Sequence, residues 1–453
     1  MNRRYVGAWL SIVVLCSTVA NADDWRAGVA KANITPEQPM WMAGYSSRTR
    51  PAEGRLIDLW AKALVLEDPA GRRVALVTLD LIGIHRAESL AVRGAIEQKH
   101  GLAREAVALC TSHTHSGPVV GRNLAAMYFL DDAGQKLIAD YAAGLEQKLV
   151  DLVGEAIADL APAGLAWGSG HSSVAVNRRN NREADVPELR AAGKLAGPVD
   201  HDVPVLAVRD PAGQLRAIVF GYACHATVMD FFQWSGDYPG FAQSELEESH
   251  PGAVALFWAG CGADQNPLPR RKPELAGEYG RRLARAVDEV LGGVMAPIEG
   301  NLSAEYAEVD LPFGPLPSSE DLTAQAASSD RYEAQRARLL LEQIQAGEPL
   351  SPSYPYPVQV WKLGPDVLFI ALGGEVVVDY ALRLKHELGA KRTWVAGYTN
   401  DVMAYIPSRR VLIEGGYEGG GAMVYYGLPT VWAAEVEEMI VGKVRELVGG
   451  TKM

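Results

Sequence analysis

His113 and His115 stand two residues apart in Thr111-Ser112-His113-Thr114-His115-Ser116-Gly117-Pro118, directly after an apolar run at 106–110. In extended backbone, residues i and i+2 share a face. Both imidazoles are therefore expected to converge on one site at the carboxyl end of a buried strand. Imidazole is both a metal ligand and a group that titrates near neutrality, so one ring can hold a cation while the other handles a proton. The plainer alternative is two histidines on a polar turn. His225 repeats the arrangement, leaving the alternating run 216–222 inside Ala223-Cys224-His225-Ala226-Thr227, and is expected at the end of a neighbouring strand. Glu375 follows an apolar strand at 367–371 and precedes an apolar helix. A carboxylate there serves either a metal or the helix start. Arg178, in the cationic turn 175–181, can clamp a carboxylate or donate to a developing oxyanion, or can simply be solvated. Tyr417 lies in Glu414-Gly415-Gly416-Tyr417-Glu418-Gly419-Gly420-Gly421, where the glycine density suits a loop that closely approaches something.

Apolar runs and turn residues set out the elements that must carry these groups. Strands are expected at 27–34 (an edge strand, ending at Thr35-Pro36), 59–66, 74–79 and 106–110, with helices at 87–99 and 135–160. A hairpin follows at 205–208 and 216–222 about Asp210-Pro211-Ala212-Gly213, then a helix at 241–248, a strand at 253–258 and a helix at 274–291. A second hairpin is expected at 358–363 and 367–371, a last strand at 393–397 and a closing helix at 430–447. The alternation of strand and helix gives an α/β fold, with mixed sheets flanked by helices and the site at strand ends. The proline-rich segment 312–357, with a charged helix inside it, reads as a surface excursion within one domain, 23–453.

Composition narrows the class. The 453 residues are 48% hydrophobic, enough for a large core, and the net charge of −12 argues against nucleic acid as a partner. Arg3 and Arg4 precede an apolar run at 6–19, and Ala20-Asn21-Ala22 suits a cleavage site. Residues 1–22 therefore read as a secretory signal peptide, and the mature chain is expected to be secreted or periplasmic. It carries no run long enough to span a membrane. Cys110, Cys224 and Cys261 lie in or beside strand-like runs and read as small buried hydrophobes. The oligomeric state is left open.

Taken together, Thr-His-Thr-His-Ser-Gly-Pro, Asn-Arg, Cys-His-Ala-Thr, Ser-Gly-Asp, Gly-Glu and Gly-Tyr-Thr-Asn followed by Tyr-Glu-Gly resemble the catalytic domain of the neutral, non-lysosomal ceramidases. The resemblance runs in order over nearly the whole mature chain. It implies a Zn2+ amidase that splits ceramide, a lipid-like small-molecule substrate. Carried over by position, the zinc ligands would be His113, His225, Glu375 and Tyr405. His115 would handle the proton, and Arg178 and Tyr417 would stabilise the oxyanion. Zinc would activate a water to attack the carbonyl. Two departures stand out. The family has Gly-Asp-Val-Ser-Pro-Asn at the reaction centre, where this chain has Gly262-Ala263-Asp264-Gln265-Asn266-Pro267. Gln265 falls at the serine position, where it is no nucleophile but can hydrogen-bond substrate or a zinc-held water. The resemblance also stops before the family's following β-sandwich domain, so the catalytic domain alone is expected. With the polar loop at 178–182, these departures keep a second reading in view: the same scaffold acting on a more polar substrate, such as a sugar or glycosidic compound or another N-acyl or ester compound.

Overall fold

The continuous apolar runs become the strands of two mixed sheets. A computed structural model describes residues 25–449. The expected leader, 1–22, lies outside the described residues. The first sheet is built from β1 (Trp25–Asn33), β2 (Trp60–Glu67), β3 (Arg73–Leu79), β4 (Val107–Thr111), β5 (Ala161–His171), β6 (Asp202–Arg209), β7 (Leu215–Tyr222) and β8 (Val254–Ala259). They lie in the order β8-β7-β6-β5-β1-β2-β3-β4, with a short ninth strand, Ala296–Pro297, on β5. β3 with β4 and β7 with β8 run parallel, and the other ladders are antiparallel. The expected edge strand is thus interior. β1 pairs with β2 along its whole length and with β5 through Trp25–Ala27. The loose alternation that suggested an edge reflects a helix, Asp132–Ala158, covering one face with Leu145, Leu149, Leu152 and Val153.

The second sheet is β9 (Leu302–Pro312), β10 (Ser353–Leu363), β11 (Val367–Leu372) and β12 (Thr393–Ala396), in that order. Its inner face meets the first sheet in one aromatic seam. The rings of Trp258 and Phe369 are 5.6 Å apart, as are those of Trp361 and Phe369, and Leu64, Leu66 and Leu76 fill between them. Burying such rings is the main apolar gain holding the sheets together.

The excursion is shorter than the sequence suggested. Residues 353–357 belong to β10 and pair one for one with 308–312 of β9. β10 meets β11 only from Val358 onward, so this stretch is an edge on that side. An edge tolerates Pro355 and Pro357 because a missing N–H there breaks no ladder. The remainder carries two helices, Ser319–Ala326 and Arg331–Gln345. Ser318 and Asp321 form a capping box on the first, and Asp330 caps the second. They share a small core of Leu322, Ala337 and Leu340.

The two ends of the first sheet approach each other. Lys62 of β2 donates from Nζ to the carbonyl of Ala255 in β8, at 2.8 Å. The segment leaving β12 joins the free edges: Cys110 bridges to Thr399 and Gly260 bridges to Ala396. Asn400 N donates to Leu109 O at 2.8 Å, and Gly397 N donates to Ala259 O at 3.0 Å. The strand-end loops of both sheets meet where this junction closes.

Candidate metal centre and its surroundings

His113 and His225 do not leave neighbouring strands. β4 is the last strand of its ladder and β7 is next to last at the far end. The curl of the sheet brings their loops side by side, with a parallel bridge between Thr114 and Ala226 and a bond from His115 N to Ala226 O of 3.2 Å. Nor is the His-Thr-His segment simply extended. His113 has φ of +58°, so the chain turns at the first histidine. The rings still meet, with His115 Nε2 3.2 Å from His113 Nε2. Glu375 and Tyr405 come from the second sheet's loops. Glu375–Val376 pairs in parallel with Tyr405–Ile406, placing Glu375 opposite Tyr405.

The hydrogen bonds behind the rings fix their tautomers. His113 Nδ1 donates to Ile82 O at 2.6 Å, and His225 Nδ1 donates to Gly262 O at 2.8 Å. A carbonyl only accepts, so each neutral ring carries its proton on Nδ1 and a lone pair on Nε2. Those two Nε2 atoms lie 3.2 and 3.1 Å from Glu375 Oε2. Tyr405 Oη is 3.2 Å from His225 Nε2. Three acceptors therefore converge, all buried, and Glu375 Oε2 has no hydrogen-bond partner. Such an arrangement is costly unless a cation sits among the acceptors. Two imidazoles and a carboxylate also suit a catalytic zinc set. The ligand nitrogens of His113, His115 and His225 lie within 4.8 Å of one another and are a further candidate group.

Charge distribution agrees with a cation site. Burial would raise the Glu375 carboxyl, but the adjacent His113 and His225 imidazoles outweigh it and hold it well below its usual range. Burial, then the charge of Arg178, lowers His225 to about 4. Burial also lowers His115, aided by His113 and His225. Burial thus disfavours the charged form of His115 and His225, and Glu375 is held as a carboxylate. Glu375 Oε1 accepts a short hydrogen bond from the Tyr426 hydroxyl.

Arg178 reaches the centre through Tyr405. Its Nη2 donates to Tyr405 Oη at 3.1 Å, its Nη1 to Asn266 Oδ1 at 3.3 Å and its Nε to Glu418 Oε1 at 2.7 Å. Burial opposes the charge on Arg178, but Tyr405 and Glu418 more than restore it. Tyr417 is 45% exposed at the rim, its ring 5.2 Å from that of Tyr405 and 5.6 Å from the Arg178 guanidinium.

Gln265 is placed differently from the expectation. Its side chain is buried and facing backbone: Nε2 donates to Ala223 O at 2.6 Å, and Oε1 accepts from Asp200 N at 3.0 Å. Its own carbonyl accepts from His225 N at 2.9 Å. Both ends of the amide are thus occupied, and Gln265 supports the His225 loop from behind rather than facing a substrate. The sequence reading also missed several neighbours. Tyr426 holds Glu375. Tyr45 packs on His115 at 4.8 Å, and Tyr398 on His113 at 4.3 Å. Glu418 holds Arg178 and Arg179. Glu418 carried a signal, standing beside Tyr417 in the glycine-dense loop, and Tyr398 stood in the Gly-Tyr-Thr-Asn motif. Cys110, Cys224 and Cys261 are buried and unbridged.

Residues 25–261 match the family described as neutral/alkaline non-lysosomal ceramidase, N-terminal. The neutral ceramidase of Pseudomonas aeruginosa is 31% identical over 337 residues, covering 69% of this chain and 49% of the relative. The neutral ceramidase of Oryza sativa subsp. japonica is 26% identical over 257 residues, covering 54% of this chain and 32% of that protein. The chain thus spans about half the length of the first of these relatives and less of the second. The crystal structure of the Pseudomonas aeruginosa enzyme superposes with a TM-score of 0.70 at 24% identity, covering 93% of this chain and 75% of that one. A solved structure described as ceramidase complexed with C2 gives 0.70 at 22% identity, with 94% and 75% covered. At these identities the superpositions establish a shared fold.

Proposed function

For a chain that belongs to the neutral/alkaline non-lysosomal ceramidase family, we propose a zinc-dependent hydrolase that cleaves an N-acyl amide of ceramide type. The observation that carries this reading is the convergence of His113 Nε2 and His225 Nε2 on Glu375 Oε2, at 3.2 and 3.1 Å, with both rings held from behind by backbone carbonyls. His113, His225, Glu375 and Tyr405 would hold the cation. When bound, zinc supplies Lewis acidity and an ionised water near neutral pH. The chain's own residues account for the rest. Arg178 and Tyr417 stand at the rim as donors for a carbonyl oxygen that gains charge as the carbon is attacked. His115, neutral and beside His113, takes a proton from the attacking water and passes it to the leaving nitrogen as the C–N bond breaks. Glu418 orients Arg178, and Tyr426 orients Glu375.

Among the described residues, no helix is long and apolar enough to cross a membrane. The leader-like segment at 1–22 is what supports an enzyme that acts outside the cytoplasm. The test is fatty-acid release from a short-chain ceramide by the purified protein, before chelation, after it, and with zinc restored. Release that disappears with the metal and returns with zinc is expected. Release that persists in protein shown to be metal-free would overturn the reading.

A further inference from the structure

A cavity of about 560 Å³ opens beside the metal centre, walled on its inner side by Arg178 and Tyr417. One guanidinium and one phenol separate it from His225: Arg178 Nη2 is 3.1 Å from Tyr405 Oη, which is 3.2 Å from His225 Nε2. Its lining includes four arginines (Arg178, Arg179, Arg182 and Arg270), while Leu268 is its one aliphatic side chain. An alkyl tail placed here would strip water from the polar wall and gain almost no apolar contact. The cavity is unsuited to the hydrocarbon chain of a sphingoid base.

The wall has an excess of positive charge. Its three carboxylates are Glu183, Glu414 and Glu418. Glu418 is shared between Arg178 and Arg179, at 2.7 and 2.6 Å. Glu414 is shared between Arg179 and Arg410, at 3.0 and 2.9 Å. Glu183 accepts from Arg270 at 3.0 Å. Arg182 is left over: among the described residues its near carboxylate is Asp185 at 3.8 Å, beyond hydrogen-bond reach. A guanidinium with a free fork, in a wall of fixed donors, matches a carboxylate.

We propose that, beyond amides of ceramide type, the enzyme takes N-acylated amines whose amine portion bears a carboxylate, N-acyl amino acids, and that this cavity binds that portion with Arg182 as its specificity residue. The inference rests on the hydrolase reading above. The reaction adds water across the amide, so that the C–N bond breaks, the acyl carbon takes the oxygen and the amino nitrogen takes the proton.

The test compares three amides with one acyl group, N-octanoyl-glutamate, N-octanoyl-glucosamine and N-octanoyl-sphingosine, on zinc-loaded protein. The glutamate compound is expected to have the highest kcat/KM, by about threefold to fivefold, as a solvent-exposed charge pair contributes. Arg182→Glu is expected to raise KM for it about tenfold, and to affect the neutral glucosamide less. Arg182 is largely exposed, so the variant is expected to fold. Equal rates on the glutamate and glucosamine compounds would overturn the anionic assignment. Preference for the sphingosine amide would overturn the inference and leave the hydrolase reading intact. No turnover of any of the three by protein with zinc bound would overturn both.

Discussion

Gly44 lies where a side chain would strike His115, the histidine proposed to handle the proton. A Cβ there would be 2.4 Å from His115 Nδ1 and 2.6 Å from its Cγ, and the φ of +98° disfavours any other residue. Gly44→Ala should therefore displace His115 and leave His113, His225 and Glu375 on their own supports. The expected result is a fall in kcat of about 10²-fold, the usual effect of a misplacement near 1 Å, with zinc content unchanged by metal analysis. Loss of zinc in this variant would make His115 a ligand instead. At this scale the sequence was informative where chemistry ends an apolar run. His113, His225 and Glu375 each stand within a few residues of a buried strand, and the structure gathers them. Gln265, which the resemblance set at the family's serine position, turns its amide towards backbone groups behind the His225 loop. Spacing could not show which way that side chain turns. Tyr398 stood in the Gly-Tyr-Thr-Asn motif, but no role followed from it; Tyr45 and Tyr426 were given none, because one aromatic residue in a loop has no periodicity to read.

The loop that delivers Tyr405 is tied down by Asp401. Its carboxylate accepts from the Tyr354 hydroxyl of β10 at 2.6 Å, and its carbonyl accepts from Gly374 N at 2.7 Å. Burial lifts the Asp401 carboxyl from 3.8 to about 6, against the lowering effect of the Tyr354 bond. The folded protein thus keeps a proton that the unfolded chain has released, so this group's contribution to stability falls as pH rises through that interval and is constant above it. In Asp401→Asn the slope is absent. The advantage of wild type over the variant is expected to shrink by on the order of 2–3 kcal/mol between about pH 4 and about pH 6.5, measured by denaturant unfolding. A pH-independent difference would show that Asp401 is ionised throughout. The strands of this region were only partly legible. β11 and β12 are continuous apolar runs and were expected. β9, Leu-Ser-Ala-Glu-Tyr-Ala-Glu-Val-Asp-Leu-Pro, is too polar to announce a strand by hydrophobicity. The start of β10 was hidden by Pro355 and Pro357, which edge position makes harmless.

The candidate metal centre joins two sheets that share few ladder bonds. His113 and His225 belong to the first sheet, Glu375 and Tyr405 to loops of the second, and the segment 396–400 stitches the first sheet's open edges. None of that closure could be read locally, since the pairing of Thr111 with Tyr398 spans most of the chain. The α/β class and the meeting of strand ends were legible. The curl that brings β4 to β7 was not. A cation held by both sheets binds only the folded state, and therefore stabilises the whole molecule by mass action. At a free zinc concentration a hundredfold above Kd this amounts to about 2.7 kcal/mol. In a domain of this size it corresponds to a rise in Tm of about 3 °C. Thermal unfolding of the wild type should show that rise on adding zinc to the chelated protein, as one cooperative transition, because both sheets are coupled through the same ion. In His225→Ala the first sheet keeps one ligand of its pair, and the zinc-dependent rise should vanish even though the variant's own Tm is altered. A rise of equal size in His225→Ala would place the cation away from the junction of the two sheets.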